Sequence, residues 1–202
     1  MTQSADHSVR FFDTQFQRQV AGGEYGLNPF EQAVVPYLFG EVLDLGCGLG
    51  NLAMAAAEKG CKVTALDASA TAVADLARRA KERGLAIEAR QADLRRYLSA
   101  ARYDCVVSIG LLMFFAKDDA RASLAALREM VRPGGLAAVT VLIEGTTFMG
   151  MFDPAAHYLF GENKLVEAFP GWQQEYSKIE TYPAPRETIK RFHTVVMRRP
   201  PA

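Results

Sequence analysis

The chain is poor in the features that would place it outside the ordinary globular class. Cysteine is scarce: Cys47, Cys61 and Cys105 form an odd set without metal-type spacing, which argues against a disulfide framework or a cysteine metal site. Each lies beside or within an apparent strand and reads as a buried free thiol in a reducing compartment. Neither sign of charge is in excess, since 23 lysines and arginines balance 23 aspartates and glutamates. Nothing electrostatic therefore points to nucleic acid or a membrane surface. No apolar run approaches membrane-spanning length, and the polar start, MTQSADHSVRFF, lacks an apolar signal core. Repeats, low-complexity stretches and long linkers are missing as well. At 202 residues, 50% of them apolar, the chain is expected to be one cytoplasmic domain with a sizeable core.

What is present centres on VLDLGCGLGN, Val42 to Asn51. Val42, Leu43 and Leu45 read as a strand buried on both faces of a parallel sheet. Asp44 interrupts that run, and Gly46, Gly48 and Gly50 then alternate with Cys47 and Leu49 before an alanine-rich helix, Leu52 to Glu58. A glycine loop between a strand and a helix N-terminus takes positive φ, admits a ligand to the backbone and presents free N–H groups. It is a nucleotide-binding turn or a plain strand-to-helix connection. The dinucleotide fingerprint fails because its sixth position is Asn51, and the phosphate loop fails because no lysine stands between Glu41 and Glu58.

Downstream, Cys61 to Leu66 is a β-branched strand ending in Asp67, and Ser69 caps a helix ended by Gly84. An acidic residue at that strand tip, about 20 residues past the glycines, is placed to hold a ribose diol, or else to cap the helix. Ile87 to Ala92 is a third strand ending at Asp93, and Tyr103 to Ile109 a fourth, followed by Gly110-Leu111-Leu112-Met113-Phe114-Phe115. Ser108, Ile109 and Gly110 should border the ligand. Lys117 to Val131 is an amphipathic helix, Pro133-Gly134-Gly135 stops it, and Leu136 to Ile143 is the fifth strand. An irregular aromatic segment, Phe148 to Trp172, surrounds a short helix at Glu162 to Ala168. Tyr176 to Tyr182 and Arg191 to Arg198 then alternate as a final antiparallel pair. The sum is an α/β fold: a doubly wound, mostly parallel seven-stranded sheet with helices on both faces. Ahead of it, Phe11, Phe12, Phe16, Tyr25 and Phe30 suggest an N-terminal helical layer on the sheet edge, or a lid.

The ordered set, VLDLGCGLGN, Asp67, Asp93, the Leu-Met-Phe run and Arg-Pro-Gly-Gly, resembles class I S-adenosylmethionine-dependent methyltransferases, with their Rossmann-like fold. The resemblance implies S-adenosyl-L-methionine as methyl donor. It assigns Asp44, Gly46, Cys47, Gly48, Gly50, Asn51, Asp67, Ala68, Asp93, Leu94, Ser108, Ile109 and Gly110 to its site, with Asp93 taking the adenine amine and Leu94 lining the ring. Residues 1–40 become a lid, 41–144 the cofactor-binding core, and 145–202 a substrate-side insertion with the terminal strands. A narrower likeness is to the tellurite-resistance methyltransferases. It rests on Leu112-Met113-Phe114, on Phe160 to Leu165 running to Gly171-Trp172, and on Ile189-Lys190-Arg191-Phe192. It implies a small-molecule acceptor with a soft sulfur, selenium or tellurium nucleophile. That family carries a His-Arg pair ahead of its last strand where this chain has Thr181 to Arg186, leaving Arg186 and Arg191 to replace it.

A thiolate or selenolate needs no general base, whereas an alcohol or amine does. The candidates are His157 as the better placed base, Tyr25, and Arg186 or Arg191 to hold an anionic acceptor; His193, alternating within a strand, reads as structural. The competing readings are O- or N-methylation of a small metabolite, and a non-catalytic S-adenosylmethionine-binding module. Neutral charge disfavours nucleic acid, and Asn28-Pro29-Phe30 stands ahead of the first strand rather than after the fourth, where nucleic-acid amino-methyltransferases carry a similar motif. No metal site is expected, and the chain is expected to be a monomer or homodimer.

Overall fold

The structure, a computed structural model, describes residues 4–95 and 97–202, with side chains from Ser8 onward. The first three residues of the expected lid, which open the polar start MTQSADHSVRFF, lie outside the described residues. Helix α1 (Ser4–Gly22) is followed by α2 (Pro29–Val34). The second start is dictated locally. Asn28 accepts from the Phe30 and Glu31 amides, Glu31 accepts from the Asn28 amide at 2.8 Å, and Pro29 occupies the first turn, where no N–H is needed.

From there strand and helix alternate: β1 (Glu41–Leu45), α3 (Asn51–Glu58), β2 (Lys62–Asp67), α4 (Ala70–Glu82), β3 (Ile87–Gln91), β4 (Tyr103–Ile109), α5 (Lys117–Met130) and β5 (Val131–Leu142). A single turn, α6 (Lys164–Glu167), and the hairpin β6 (Gln173–Ala184) and β7 (Thr188–Arg198) complete the chain.

The strands form one sheet in the order β3-β2-β1-β4-β5-β7-β6. The first five run parallel, while β7 is antiparallel to both β5 and β6, so the sheet is mixed. Leu43, Val106 and Val139 pack on one face with Leu124 and Leu127 of α5. Val42, Val63 and Val107 pack on the other with Leu52 of α3 and Leu76 of α4. Two-sided burial is why the central strands read as unbroken apolar runs. Strand order reverses between β1 and β4, which opens a crevice at the carboxyl ends of these strands.

Three element boundaries differ from expectation. The fifth strand begins at Val131, directly after α5, because Val131 pairs with Tyr103; Pro133-Gly134-Gly135 lies in a register shift within it rather than ahead of it. The expected helix at Glu162 to Ala168 is reduced to the turn α6. The terminal hairpin is longer than its alternation suggests, pairing Tyr182 with Lys190 and Ala184 with Thr188. All three cysteines are free and buried. Among the described residues no helix is long and apolar enough to cross a membrane, and no cluster of histidine, cysteine and acidic side chains could hold a metal ion.

Candidate active site

The loop after β1 is held by its neighbours before any ligand arrives. The amides of Gly46 and Cys47 donate to Leu66 O at 2.8 and 3.0 Å. The Gly48 amide donates to Asp67 Oδ2 at 2.8 Å, and the Ser69 amide to Asp67 Oδ1 at 2.8 Å. Ser69, not Asp67, caps α4, through its hydroxyl at 3.1 Å from the Ala72 amide. Gly48 sits at φ 51°, a left-handed backbone, and a Cβ there would press on the Phe16 ring of α1 at 3.1 Å. Asn51 Nδ2 donates to Gly26 O at 2.9 Å, tying α3 to the segment between the N-terminal helices.

Above this loop lies a cavity of about 1480 Å³. One side is polar: Gly46 to Asn51, Asp67, Ala68, Ser69, Gln91 to Arg95, Ile109 and Gly110 line it. The other is aromatic and thioether-rich, with Phe12, Met113, Phe114, Phe148, Met151 and Phe192 on its walls. Helix α1 covers the crevice, with Phe12 against Phe114 at 5.0 Å between centroids. At the polar edge, Ser69 Oγ donates to Asp13 Oδ1 at 2.5 Å.

The cavity is acidic. Burial raises the Asp67 carboxyl above its ordinary range, against the amide bonds that favour its charge and with the Asp13 carboxylate adding to the rise. Burial likewise raises Glu31. Asp44 lies beneath the floor rather than in the wall, 3% exposed, and its Oδ2 has no hydrogen-bond partner. Burial first, then the nearby Glu31 and Asp67 charges, push its carboxyl up to about 8. A glycine cradle with the Asp67, Asp93 and Glu31 carboxyl groups in the cavity wall fits a cationic nucleoside such as S-adenosylmethionine and disfavours a pyrophosphate.

The Asp44 shift sets a sign for stability. The folded chain keeps a proton on Asp44 that the unfolded chain releases near the ordinary 3.8. Stability of the ligand-free protein is therefore lost as pH rises from about 4 to about 8, by up to roughly 1.4 kcal/mol per unit. Asp44→Asn removes this loss, so the melting-temperature gap in its favour should widen between pH 5 and pH 8. Parallel melting profiles of the two proteins across that range would show that Asp44 carries no such shift.

The remaining expectations divide. Ile109, Gly110 and Leu94 line the cavity, whereas Ser108 is fully buried below it with its hydroxyl unpartnered. Asp93 stands at the mouth, ion-paired with Arg95, whose guanidinium holds the carboxyl below its usual range. None of the four catalytic candidates is in the wall. His157 turns Nδ1 to Asp153 O at 3.0 Å and rests on Phe152, while its neighbours Ala155 and Ala156 reach the cavity. Tyr25 donates to Asp75 Oδ1 at 3.2 Å, under the guanidinium of Arg79, which itself holds Leu49 O. Arg191 is spent on Glu144 O and Glu162, and Arg186 occupies the hairpin turn at φ 60°. His193 is structural, bridging Ser177 and Glu162 O. The residues overlooked are Glu31 and Lys190, both in the wall. Asn28-x-x-Glu31 was readable as a capping box, but nothing local shows Glu31 facing a cavity.

Fold and site together are similar to those of Rossmann-like methyltransferase domains. Residues 42–135 match the family model described as a methyltransferase domain. The malonyl-(acyl-carrier protein) O-methyltransferase of Enterobacter lignolyticus is 36% identical over 105 residues, 52% of this chain and 39% of that protein. The chain thus spans well under two thirds of that relative's length. TehB from Haemophilus influenzae superposes with a TM-score of 0.73 over 86% of this chain and 62% of TehB, at 20% identity. A structure describing the conversion of a disulfide bond into a thioacetal group during echinomycin biosynthesis gives 0.64 over 85% and 82%, at 27% identity.

Proposed function

We propose that the chain transfers a methyl group from S-adenosylmethionine to a small-molecule acceptor bearing a soft sulfur, selenium or tellurium nucleophile. The observation that carries this reading is the two-sided cavity, in which a glycine cradle and carboxylates face a wall of aromatic and thioether side chains. Bound there, S-adenosylmethionine supplies an activated methyl on a sulfonium. Asp67 would hold the ribose, the amides of Gly46 to Gly50 the methionyl portion, and Asp93 and Leu94 the adenine edge. The aromatic wall excludes water and fixes the acceptor in line, an alignment that supplies roughly 7–11 kcal/mol in favourable cases. Met113, Met151 and the phenylalanine rings offer a soft surface to a chalcogen, and a thiolate needs no base from the protein. The likeness to a structure concerned with disulfide chemistry supports a sulfur acceptor.

The deciding experiment is a panel of thiol, selenium, tellurium, hydroxyl and amine acceptors with S-adenosylhomocysteine release as the readout. Thiols and selenols are expected to turn over fastest. A phenol or amine that outpaces them would replace the acceptor class with O- or N-methylation. Tight S-adenosylmethionine binding without release across the panel would leave a binding module.

In this reading residues 1–40 are a lid over the 41–144 core, with 145–202 shaping the acceptor side. Phe12 and Phe16 of α1 close the cavity roof, so bound S-adenosylhomocysteine should slow tryptic cleavage after Arg18. Equal cleavage rates with and without it would show that α1 is a fixed layer.

A further inference from the structure

On the aromatic side of the cavity stands one amine. Lys190 is in β7, two residues before Phe192, so both side chains leave the same face of the strand and both line the wall. Its Nζ lies 4.5 Å from the centroid of the Phe148 ring, within cation–π range. Phe192 in turn packs on Phe30 at 4.4 Å and on Tyr182 at 6.0 Å. No carboxylate comes within ion-pair distance of Lys190 among the described residues, and burial alone lowers its basicity. The other basic side chain in the wall, Arg95, is already paired with Asp93. A partly desolvated ammonium with only a ring face for company is incompletely satisfied, and a carboxylate would complete it.

Its position suits an acceptor. Strand β7 is three steps from β1 in the sheet, so at ~4.8 Å per step the two strands lie roughly 14 Å apart, and Lys190 stands four residues beyond Thr194, the position level with the start of the glycine loop. A small aromatic acceptor anchored at Lys190 reaches toward the methyl-donor side while its ring lies along Phe148 and Phe192.

We infer that Lys190 selects acceptors carrying a carboxylate, holding that group at the end of the cavity remote from the glycine loop. The inference rests on the transfer reading above for its acceptor, but not on the identity of the nucleophile.

The test is calorimetric titration of meta-mercaptobenzoate and meta-mercaptobenzamide into the protein saturated with S-adenosylhomocysteine. The carboxylate is expected to bind at least about tenfold more tightly. Lys190→Met should abolish that preference while leaving S-adenosylhomocysteine affinity unchanged, and Lys190→Arg should restore most of it. Equal binding of the two probes to the native protein, or a preference that survives Lys190→Met, overturns the assignment. Turnover separates the two readings: methylation of meta-hydroxybenzoate but not of meta-mercaptobenzoate removes the soft acceptor and leaves the binding ratio to judge Lys190.

Discussion

Replacing Asp67 with alanine is expected to weaken S-adenosylmethionine binding by about a hundredfold. In the proposed donor pose the ribose diol meets the Asp67 carboxylate at the tip of β2, and charge-assisted hydrogen bonds contribute roughly 1.5–3 kcal/mol each. Asp67 lines the cavity, and its two oxygens are already oriented by the Gly48 and Ser69 amides at 2.8 Å. No reorientation is therefore needed when ligand enters. A hundredfold loss corresponds to about 2.8 kcal/mol, which is two such bonds less the gain from relieving a carboxylate that burial disfavours. The alanine variant also strips both amides of their acceptor, so part of the effect acts through the loop. Asp67→Asn separates the parts, because an amide oxygen still accepts from one backbone N–H while the negative charge is gone. Its loss should fall between the native protein and the alanine variant. Calorimetry on variants whose circular dichroism matches the native protein makes the comparison. Less than tenfold change in Asp67→Ala would place the ribose elsewhere and with it the whole orientation of the donor.

The difference between what the sequence discloses and what it conceals follows register. The central strands are legible because two-sided burial demands unbroken apolar runs, and glycines mark where each run gives way to a helix. The fourth strand, Tyr103 to Ile109, and the start of the helix at Lys117 agree with the structure for that reason. Pro133-Gly134-Gly135 misleads because those residues ordinarily end elements, yet Val131 already pairs with Tyr103 ahead of them. The glycine loop's place between β1 and α3 is legible since backbone conformation sets it. Side-chain type carries no direction, and His157, Tyr25, Arg186 and Arg191 all lie outside the cavity lining. His157 follows a local carbonyl at Asp153, and Tyr25 and Arg79 stack beside Asp75. Lys190 was hidden by beginning the last strand at Arg191; the pairing of Tyr182 with Lys190 carries the alternation back and turns the lysine to the Phe192 side.

Gly50→Ala is expected to destabilise the protein by about 2–4 kcal/mol, from overpacking and a left-handed backbone combined. Gly50 sits at φ 70° at the N-terminus of α3, where its amide donates to Cys47 O at 2.8 Å and its carbonyl accepts from Met54 at 2.9 Å. A Cβ there meets Leu76, with Cδ1 at 2.5 Å and Cγ at 2.9 Å. Leu76 is fully buried between α4 and the sheet, so it cannot swing away. Gly84 provides the control: its φ is 62° but a Cβ would have nothing within 4 Å. Gly84→Ala therefore carries only the backbone strain, roughly 1–2 kcal/mol. Urea unfolding of both variants isolates the steric part. Shortening the obstacle, in Leu76→Ala combined with Gly50→Ala, should give a loss smaller than the sum of the single losses by about 1 kcal/mol or more. Because the same residue joins the glycine cradle to α3, Gly50→Ala should also weaken S-adenosylmethionine binding, and Gly84→Ala should not. Equal destabilisation by the two alanines, or strict additivity with Leu76→Ala, would mean that the close approach of loop and helix is not what requires glycine at this turn.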